Sequence, residues 1–546
     1  MPEAGLFHPD GQKHLRVDMT AYRKGAGPRE INLDRLPRRL LRRIERHALR
    51  IDVDLVEKFI LIGEQDGVAS RDCDVAESEG TPFLDDSVHR RSAGKTHDEE
   101  KYERQGETTA APTPFPKYRQ AGLGKQRAEH QHSASMRHMS LRATWLFGMI
   151  VLAPLGAAAG EDISVFVNGF VDLGGVVPSH ETSWLRGGLG KLDNGGDGRS
   201  GPAFVGQAVA DVRVKFDPAV SFFGTFRVAP DQQAPFDILE AYGRYQPIST
   251  RDWLWSIKLG AFYPPISLEN ESVGWTSPWT LTPSAINSWV GDELRTVGAE
   301  SNLEWRYDTG ALGLTGAAYG FNDPTGTLLA NRGWAFDSRP IGLFGMPRQP
   351  DAVARSFGSV PPLREEPFKE IDGRPGWYFG GSARQDGLGR LTALYYDNRA
   401  DPAAHIGSDF GWRTRFTSLG LETYIGDVVI LSQAMFGDTD VQPFGNFHAT
   451  TDFQAVYLLA GYYFDDFRVA GRVDVFATQL RNSFKVRGPG ENGRAFTLSG
   501  SWAPVRWLRL STELLQVDSY RGARAASGLS ANASELQVQL VGRIFF

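Results

Sequence analysis

The chain has 546 residues, with 59 Lys plus Arg against 65 Asp plus Glu and a formal net charge of −6. That balance excludes a nucleic-acid binder that works by charge, and the single cysteine, Cys73, excludes a disulfide framework or a thiolate metal site. No apolar run reaches the ~20 residues of a membrane-spanning helix.

Residues 1–135 hold no tryptophan, Cys73 and seven of the eleven histidines. They are highly charged and poorly patterned, and the one helix-like stretch, Leu36 to Ile62, mixes apolar residues with Arg and Glu. No core there would offset the ordering entropy. A sharp boundary follows. Met136 to Arg142 is short and basic, Trp145 to Leu155 is apolar, and Ala157-Ala158-Ala159 is a small-residue cleavage site. These are the three parts of a secretory signal peptide over 136–159. We therefore read Met136 or Met139 as the translation start and 1–135 as a non-native upstream extension or a disordered segment. The competing reading is a cytoplasmic domain joined to a signal anchor.

From Gly160 onward the chain reads as sixteen strands: 163–173, 204–216, 219–228, 236–246, 253–262, 294–307, 311–321, 376–384, 390–397, 412–425, 428–436, 453–464, 467–478, 494–503, 505–518 and 534–546. Short and long connections alternate. Asp217-Pro218, Asp308-Thr309-Gly310, Gly426-Asp427 and Asp465-Asp466 are turn formers of the hairpin kind. Long loops cover 174–203, 263–293, 322–375, 398–411, 437–452, 479–493 and 519–533, with a shorter one at 229–235. Aromatics such as Tyr245, Trp253, Trp305, Phe464, Phe467, Trp502 and Trp507 flank the short turns, as an interfacial girdle requires.

The strands are two-faced, because side chains alternate across a strand. In 534–546, Leu536, Val538, Leu540, Ile544 and Phe546 share one face, and Glu535, Gln537, Gln539 and Arg543 the other. In 204–216 the apolar face opposes Asp211, Arg213 and Lys215; in 467–478 it opposes Arg468, Arg472 and Asp474. Dry burial of so many charges is costly, whereas about sixteen strands enclose an aqueous lumen. The fold class is all-β: a transmembrane antiparallel β-barrel of about sixteen strands.

A signal peptide, sixteen two-faced strands, alternating short turns and long loops, and a terminal Phe546 together resemble the Gram-negative outer-membrane porins over residues 136–546. A general likeness extends to the substrate-selective or phosphate-selective porin-like groups. The Pro-Glu-Phe-Gly-Gly type loop motif of the general trimeric porins is not found, so no residue role is carried over. The resemblance implies an outer-membrane location, lipid and small solutes as partners, a homotrimer, and an inward fold of the loop after the fifth strand, which narrows the pore.

That loop, 263–293, carries four prolines, three tryptophans and the acids Glu269, Glu271, Asp292 and Glu293, with Arg295 just beyond. Prolines stiffen it, and loops in water are rarely so aromatic. We expect these charges to form a constriction facing a basic pore wall of Arg213, Lys215, Arg227, Arg244 and Lys258, since opposed charge is how pores select ions. Neutralising Glu269 and Glu271 is then expected to shift ion selectivity. The loop 322–375, with Trp334, Phe336, Phe344, Arg332, Arg339 and Arg348, would cap the mouth or meet a neighbouring subunit, unless it is a mobile surface loop.

No catalytic constellation emerges. His180, His405 and His448 fall in predicted outer loops without a nucleophile signature nearby. Asp193 to Gly198 lacks the ligand spacing and closing glutamate of a calcium loop. The sequence thus assigns no enzyme activity, cofactor, metal or nucleic acid. It points to passive diffusion of small hydrophilic solutes or ions, with a closed-lumen structural or adhesive barrel as the alternative.

Overall fold

The computed structural model describes residues 163–196, 202–230, 232–249, 252–351, 363–482 and 487–546, with the side chains of 487–489 left aside. The expectations for 1–135 and for the signal peptide lie outside the described residues.

Among the described residues, sixteen antiparallel strands close into one barrel in sequence order, each pairing with its chain neighbour. They are β1 (Ser164–Val177), β2 (Ala203–Lys215), β3 (Val220–Val228), β4 (Phe236–Tyr245), β5 (Trp253–Phe262), β6 (Thr296–Tyr307), β7 (Gly310–Gly320), β8 (Gly376–Gln385), β9 (Gly389–Asp397), β12 (Arg413–Ile425), β13 (Val428–Phe444), β14 (Phe447–Phe464), β15 (Phe467–Asn482), β16 (Arg487–Val505), β17 (Leu508–Arg521) and β18 (Asn532–Phe545). Two-residue strands β10 (His405–Ile406) and β11 (Asp409–Phe410) form a separate hairpin in the loop before β12.

The outer wall is apolar along its length: Val165 and Leu173 on β1, Leu419 on β12, Leu498 on β16 and Leu540 on β18 are all at least 45% exposed. A closed barrel leaves no open sheet edge, so this exterior suits lipid. Aromatic rings gather at the short-turn end, where Trp253 stacks on Trp305 at 6.2 Å, Phe464 on Phe467 at 5.2 Å and Phe467 on Trp502 at 6.0 Å. The hairpin turns are closed locally; Asp217 Oδ1, for example, accepts from the Ala219 and Val220 amides, both at 2.6 Å.

Two predicted long loops are instead strand. Residues 437–452 form a tall β13–β14 hairpin that turns at Gly445 (φ +51°) between the stacked rings of Phe444 and Phe447. In the predicted loop 479–493, residues 479–482 lengthen β15 and residues 487–493 lengthen β16. Outward positions there are Asp438, Asp440, Asp452 and Arg481. A wall that has risen above the lipid faces water on its outer side, so its outward side chains are polar and the apolar alternation that marks lower strands disappears.

The seam between β1 and β18 closes the barrel. Phe546 exchanges two backbone hydrogen bonds of 3.0 Å with Gly169, and its ring fills the space beside that glycine. A Cβ at position 169 would lie 2.3 Å from the Phe546 ring and 2.5 Å from the Val209 carbonyl oxygen. Gly169→Val is therefore expected to lower stability by about 1–3 kcal/mol, the usual range for overpacking. A reduced folded fraction in heat-modifiable gel migration after refolding is the expected readout, and migration like wild type would refute the seam's dependence on this contact.

Candidate functional site

The interior departs from an open aqueous lumen. Three long connections enter the barrel and pack against one another and against the inner wall: 178–196, 263–295 and 321–351. The loop 263–295 contains α1 (Ala285–Glu293), every residue of which is buried. Nine residues are too few for an autonomous helix, so packing holds it. Trp289 is the hub, with ring centroids 5.9 Å from Trp334, 5.5 Å from Phe416 and 5.3 Å from Phe453. A second tryptophan, Trp279, docks on the inner wall 4.4 Å from the Tyr463 ring. It fits because position 461 is glycine: a Cβ there would lie 2.4 Å from the indole. The third, Trp275, stacks on Tyr263 at 4.1 Å.

Many of the polar groups inside this apolar mass find partners from distant parts of the chain. Glu269 accepts from the Ser284 amide at 3.0 Å, Asn287 Nδ2 at 2.9 Å and Arg472 Nη1 at 2.5 Å. Arg472, inward on β15, also donates to Asp474 at 2.8 Å and to the carbonyls of Thr282 at 2.8 Å and Pro283 at 3.0 Å. Asp474 accepts from the Ala285 amide at 3.0 Å, at the start of α1. There an anion satisfies an otherwise unbonded helical N–H and the helix dipole. Ser284 adds a cap of its own to the Asn287 amide. On β17, Glu513 accepts from the Leu281 and Thr282 amides at 2.6 and 3.0 Å. The wall thus grips the loop through carboxylates aimed at its backbone.

The far end of α1 holds the next loop. Arg295 donates to the carbonyls of Leu239, Leu294 and Ile341 at 2.9, 2.8 and 2.7 Å, and its guanidinium lies 3.3 Å from the centre of the Tyr263 ring. Glu293 accepts from the Leu328 and Leu329 amides at 2.8 and 3.2 Å and so caps the short helix α2 (Thr327–Arg332). Asp292 pairs with Arg332 at 2.5 Å. Lys191 of the first loop pairs with Glu491 on β16, whose carboxylate also accepts from the Trp334 amide at 3.1 Å. Burial pushes the Lys191 ammonium down to about 8 despite Glu491, and it pushes the Glu293 carboxyl up to about 7 despite its backbone donors.

The predicted site residues therefore fall into two groups. Glu269, Asp292, Glu293, Arg295 and Arg227 are buried at 1% exposure or less. The sequence placed them in a water-facing constriction or wall; the structure places them in dry packing as loop anchors, because each meets a partner from a different part of the chain. Arg227, for instance, donates to the Pro340 carbonyl. Glu271 does face water and pairs with Arg390 at 2.5 Å, which in turn pairs with Glu422 at 3.0 Å. Arg213, Lys215, Arg244 and Lys258 keep inward, partly or fully exposed positions toward the short-turn end. Arg213 lies over Phe223 and Lys215 over Phe166, and Lys258 pairs with Glu300 at 2.8 Å. The loop 322–375 does not act as a surface cap in its described part: Trp334 and Phe336 are fully buried against α1 and the wall. Sequence reasoning placed Arg472 and Asp474 on the inner face but gave them no role, and it overlooked Glu513, Glu491 and Lys191. For Arg472, Asp474 and Glu513 an inward charge at mid-strand was the available signal; Lys191 and Glu491 fell in the predicted loops 174–203 and 479–493.

No family model matches the chain, and no curated protein matches it. Several solved structures are similar. The outer membrane channel DcaP of Acinetobacter baumannii shares 12% identity over 72% of this chain and all of its own, at a TM-score of 0.41. An anion-selective porin from Comamonas acidovorans shares 11% over 70% of this chain and all of its own, at 0.41. OmpT, an outer membrane protein of Vibrio cholerae, in-vitro folded and in trimer form, shares 10% over 71% of this chain and all of its own, at 0.38. At these similarities the functional reading rests on the geometry of the chain itself.

Removing one member of a buried pair leaves the other charge uncompensated. Arg472→Met is expected to destabilise the inserted loop by about 3–5 kcal/mol, seen as exposure of tryptophan fluorescence at lower urea concentration. An unchanged midpoint would refute the anchoring role. The pH dependence has a definite sign. Because the Glu293 pKa is raised in the folded chain, its contribution to stability is complete below its ordinary value of 4.5 and is lost as pH rises through about 7. Wild-type stability is expected to fall relative to Glu293→Gln across that window, and parallel pH curves would contradict the assignment.

Proposed function

We propose that the chain is an outer-membrane channel for passive diffusion of small hydrophilic solutes or ions, narrowed by the inserted loops 263–295 and 321–351 and preferring anions. The apolar exterior and aromatic girdle support the membrane location. One observation carries the channel reading: toward the short-turn end the inward wall stays charged and wet. Arg213, Lys215, Arg244, Lys258, Arg306, Arg384 and Arg390 all line it at intermediate or full exposure. Lys258 pairs with Glu300, Arg306 with Glu304, and Arg390 with Glu271 and Glu422, while Arg213, Lys215 and Arg244 make no ion pair among the described residues. A wall sealed throughout gains nothing from keeping such charges in a vestibule. The cations that no acid pairs, Arg213, Lys215 and Arg244, would concentrate anions in a narrow, low-dielectric mouth.

A second reading has its own support. The dry cluster around Trp289 fits a closed-lumen structural or adhesive barrel. Planar-bilayer recording of the refolded protein under a salt gradient separates the two. The channel reading expects discrete conductance steps and a reversal potential of the sign set by anion flux. Inserted protein without steps would favour the closed barrel. The homotrimer belongs to the same proposal and is read by chemical cross-linking in native membranes.

A further inference from the structure

At the short-turn end of the last strands three arginines gather around one carboxylate. Arg509 on β17 and Arg543 on β18 stand directly across from each other in the strand register, on the inward face. Arg468 on β15 joins them from two strands away: it stands opposite Ser501, and Ser501 stands opposite Ser511. Like charges directly opposed across a sheet are destabilising, so the arrangement needs a counter-charge.

Among the described residues one carboxylate, Asp172, pairs with the cluster. Arg543 forms a forked pair with Asp172 at 2.7 and 2.8 Å and lies 3.8 Å from the centre of the Phe170 ring. Arg468 donates to the Pro278 carbonyl at 3.3 Å and sits 4.9 Å from the Tyr463 ring centre. Arg509 sits 4.9 Å from the Phe545 ring centre, and it makes no ion pair among the described residues. Its Nε is buried without a hydrogen-bond partner. Three guanidiniums beside aromatic rings thus share one carboxylate, and the cluster carries an excess of positive charge. A planar fork of donors matches the oxygens of an oxyanion. Arg543 also borders a small cleft with Asp172, Gln207, Leu281 and Gln539, so the cluster lies where the wall meets the inserted loop.

We infer that Arg468, Arg509 and Arg543 form a binding site for a small tetrahedral oxyanion at the short-turn mouth of the barrel. The site rests on the channel reading in one respect, that solute reaches the vestibule. Bound there, an anion offsets the charge excess and offers acceptors to the Nη groups of Arg509 and of the half-exposed Arg468.

The test is calorimetric titration of the refolded full chain with inorganic phosphate at pH 8 and low salt, alongside Arg509→Gln, Arg468→Gln and Arg413→Gln. The last lies outside the lumen and serves as the control. The inference expects wild type and Arg413→Gln to bind phosphate equally, and Arg509→Gln and Arg468→Gln to bind at least about tenfold more weakly, as loss of a charge-assisted donor implies. Folding of each variant is read from its gel migration. If Arg509→Gln does not refold, the half-buried Arg468→Gln carries the same expectation. Absence of phosphate binding to wild type, or equal binding by the refolded lumen variants, would overturn the site. Conductance recorded on the same samples keeps the two proposals apart. Phosphate binding without conductance retains the site and removes the channel, and conductance without phosphate binding does the reverse.

Discussion

The pair between Arg472 and Glu269 organises the interior. Arg472 is rooted in the barrel wall, Glu269 in the loop after β5, and between them they tie together Asp474, Thr282, Pro283, Ser284 and Asn287. Burying two charges is justified only where every remaining donor and acceptor is met; here the wall and the loop supply those partners to each other. Once the start of α1 is fixed by Asp474, its other end is placed to receive Arg295, and Glu293 is placed to cap α2. The second loop is therefore seated on the first, and the first on the wall.

This explains how one wall is apolar outside and polar inside yet carries an apolar core within. The inward charged side chains Arg468, Arg472, Asp474, Glu491, Glu513 and Arg521 of β15 to β17 bond to loop backbone, so they hold a protein segment in place. Trp289, Trp334, Phe416 and Phe453 then fill the space that the anchored loops leave. Toward the short-turn end, beyond the reach of the loops, the inner wall keeps its cations exposed. The barrel is thus dry at the level of α1 and wet below it, and any permeation path has to pass beside the inserted loops.

Much of the fold was legible because lipid imposes a strict period on a strand: Leu536, Val538 and Leu540 against Glu535, Gln537 and Gln539 admit little else. The rule faded where its cause did. Asp438, Asp440 and Asp452 face outward above the lipid, so the tall β13–β14 hairpin looked like a loop. The inward fold of 263–293 was readable from its tryptophans and prolines. What its charges do was not, because the partner of Glu269 lies 203 residues away in sequence. No local pattern distinguishes an acid that meets water from one that meets Arg472. Composition announced that these side chains were inside the barrel, and only the register of β15 could say that they were dry.

The central claim is that the loop carrying α1 is locked against the wall rather than moving in a wide aqueous lumen. Native-state hydrogen exchange of the amides of residues 285–293, measured in the refolded barrel, tests it most directly. The account predicts protection comparable with that of the neighbouring β14 and β15 amides. Exchange at the rate of an exposed loop, with the strands still protected, would contradict it.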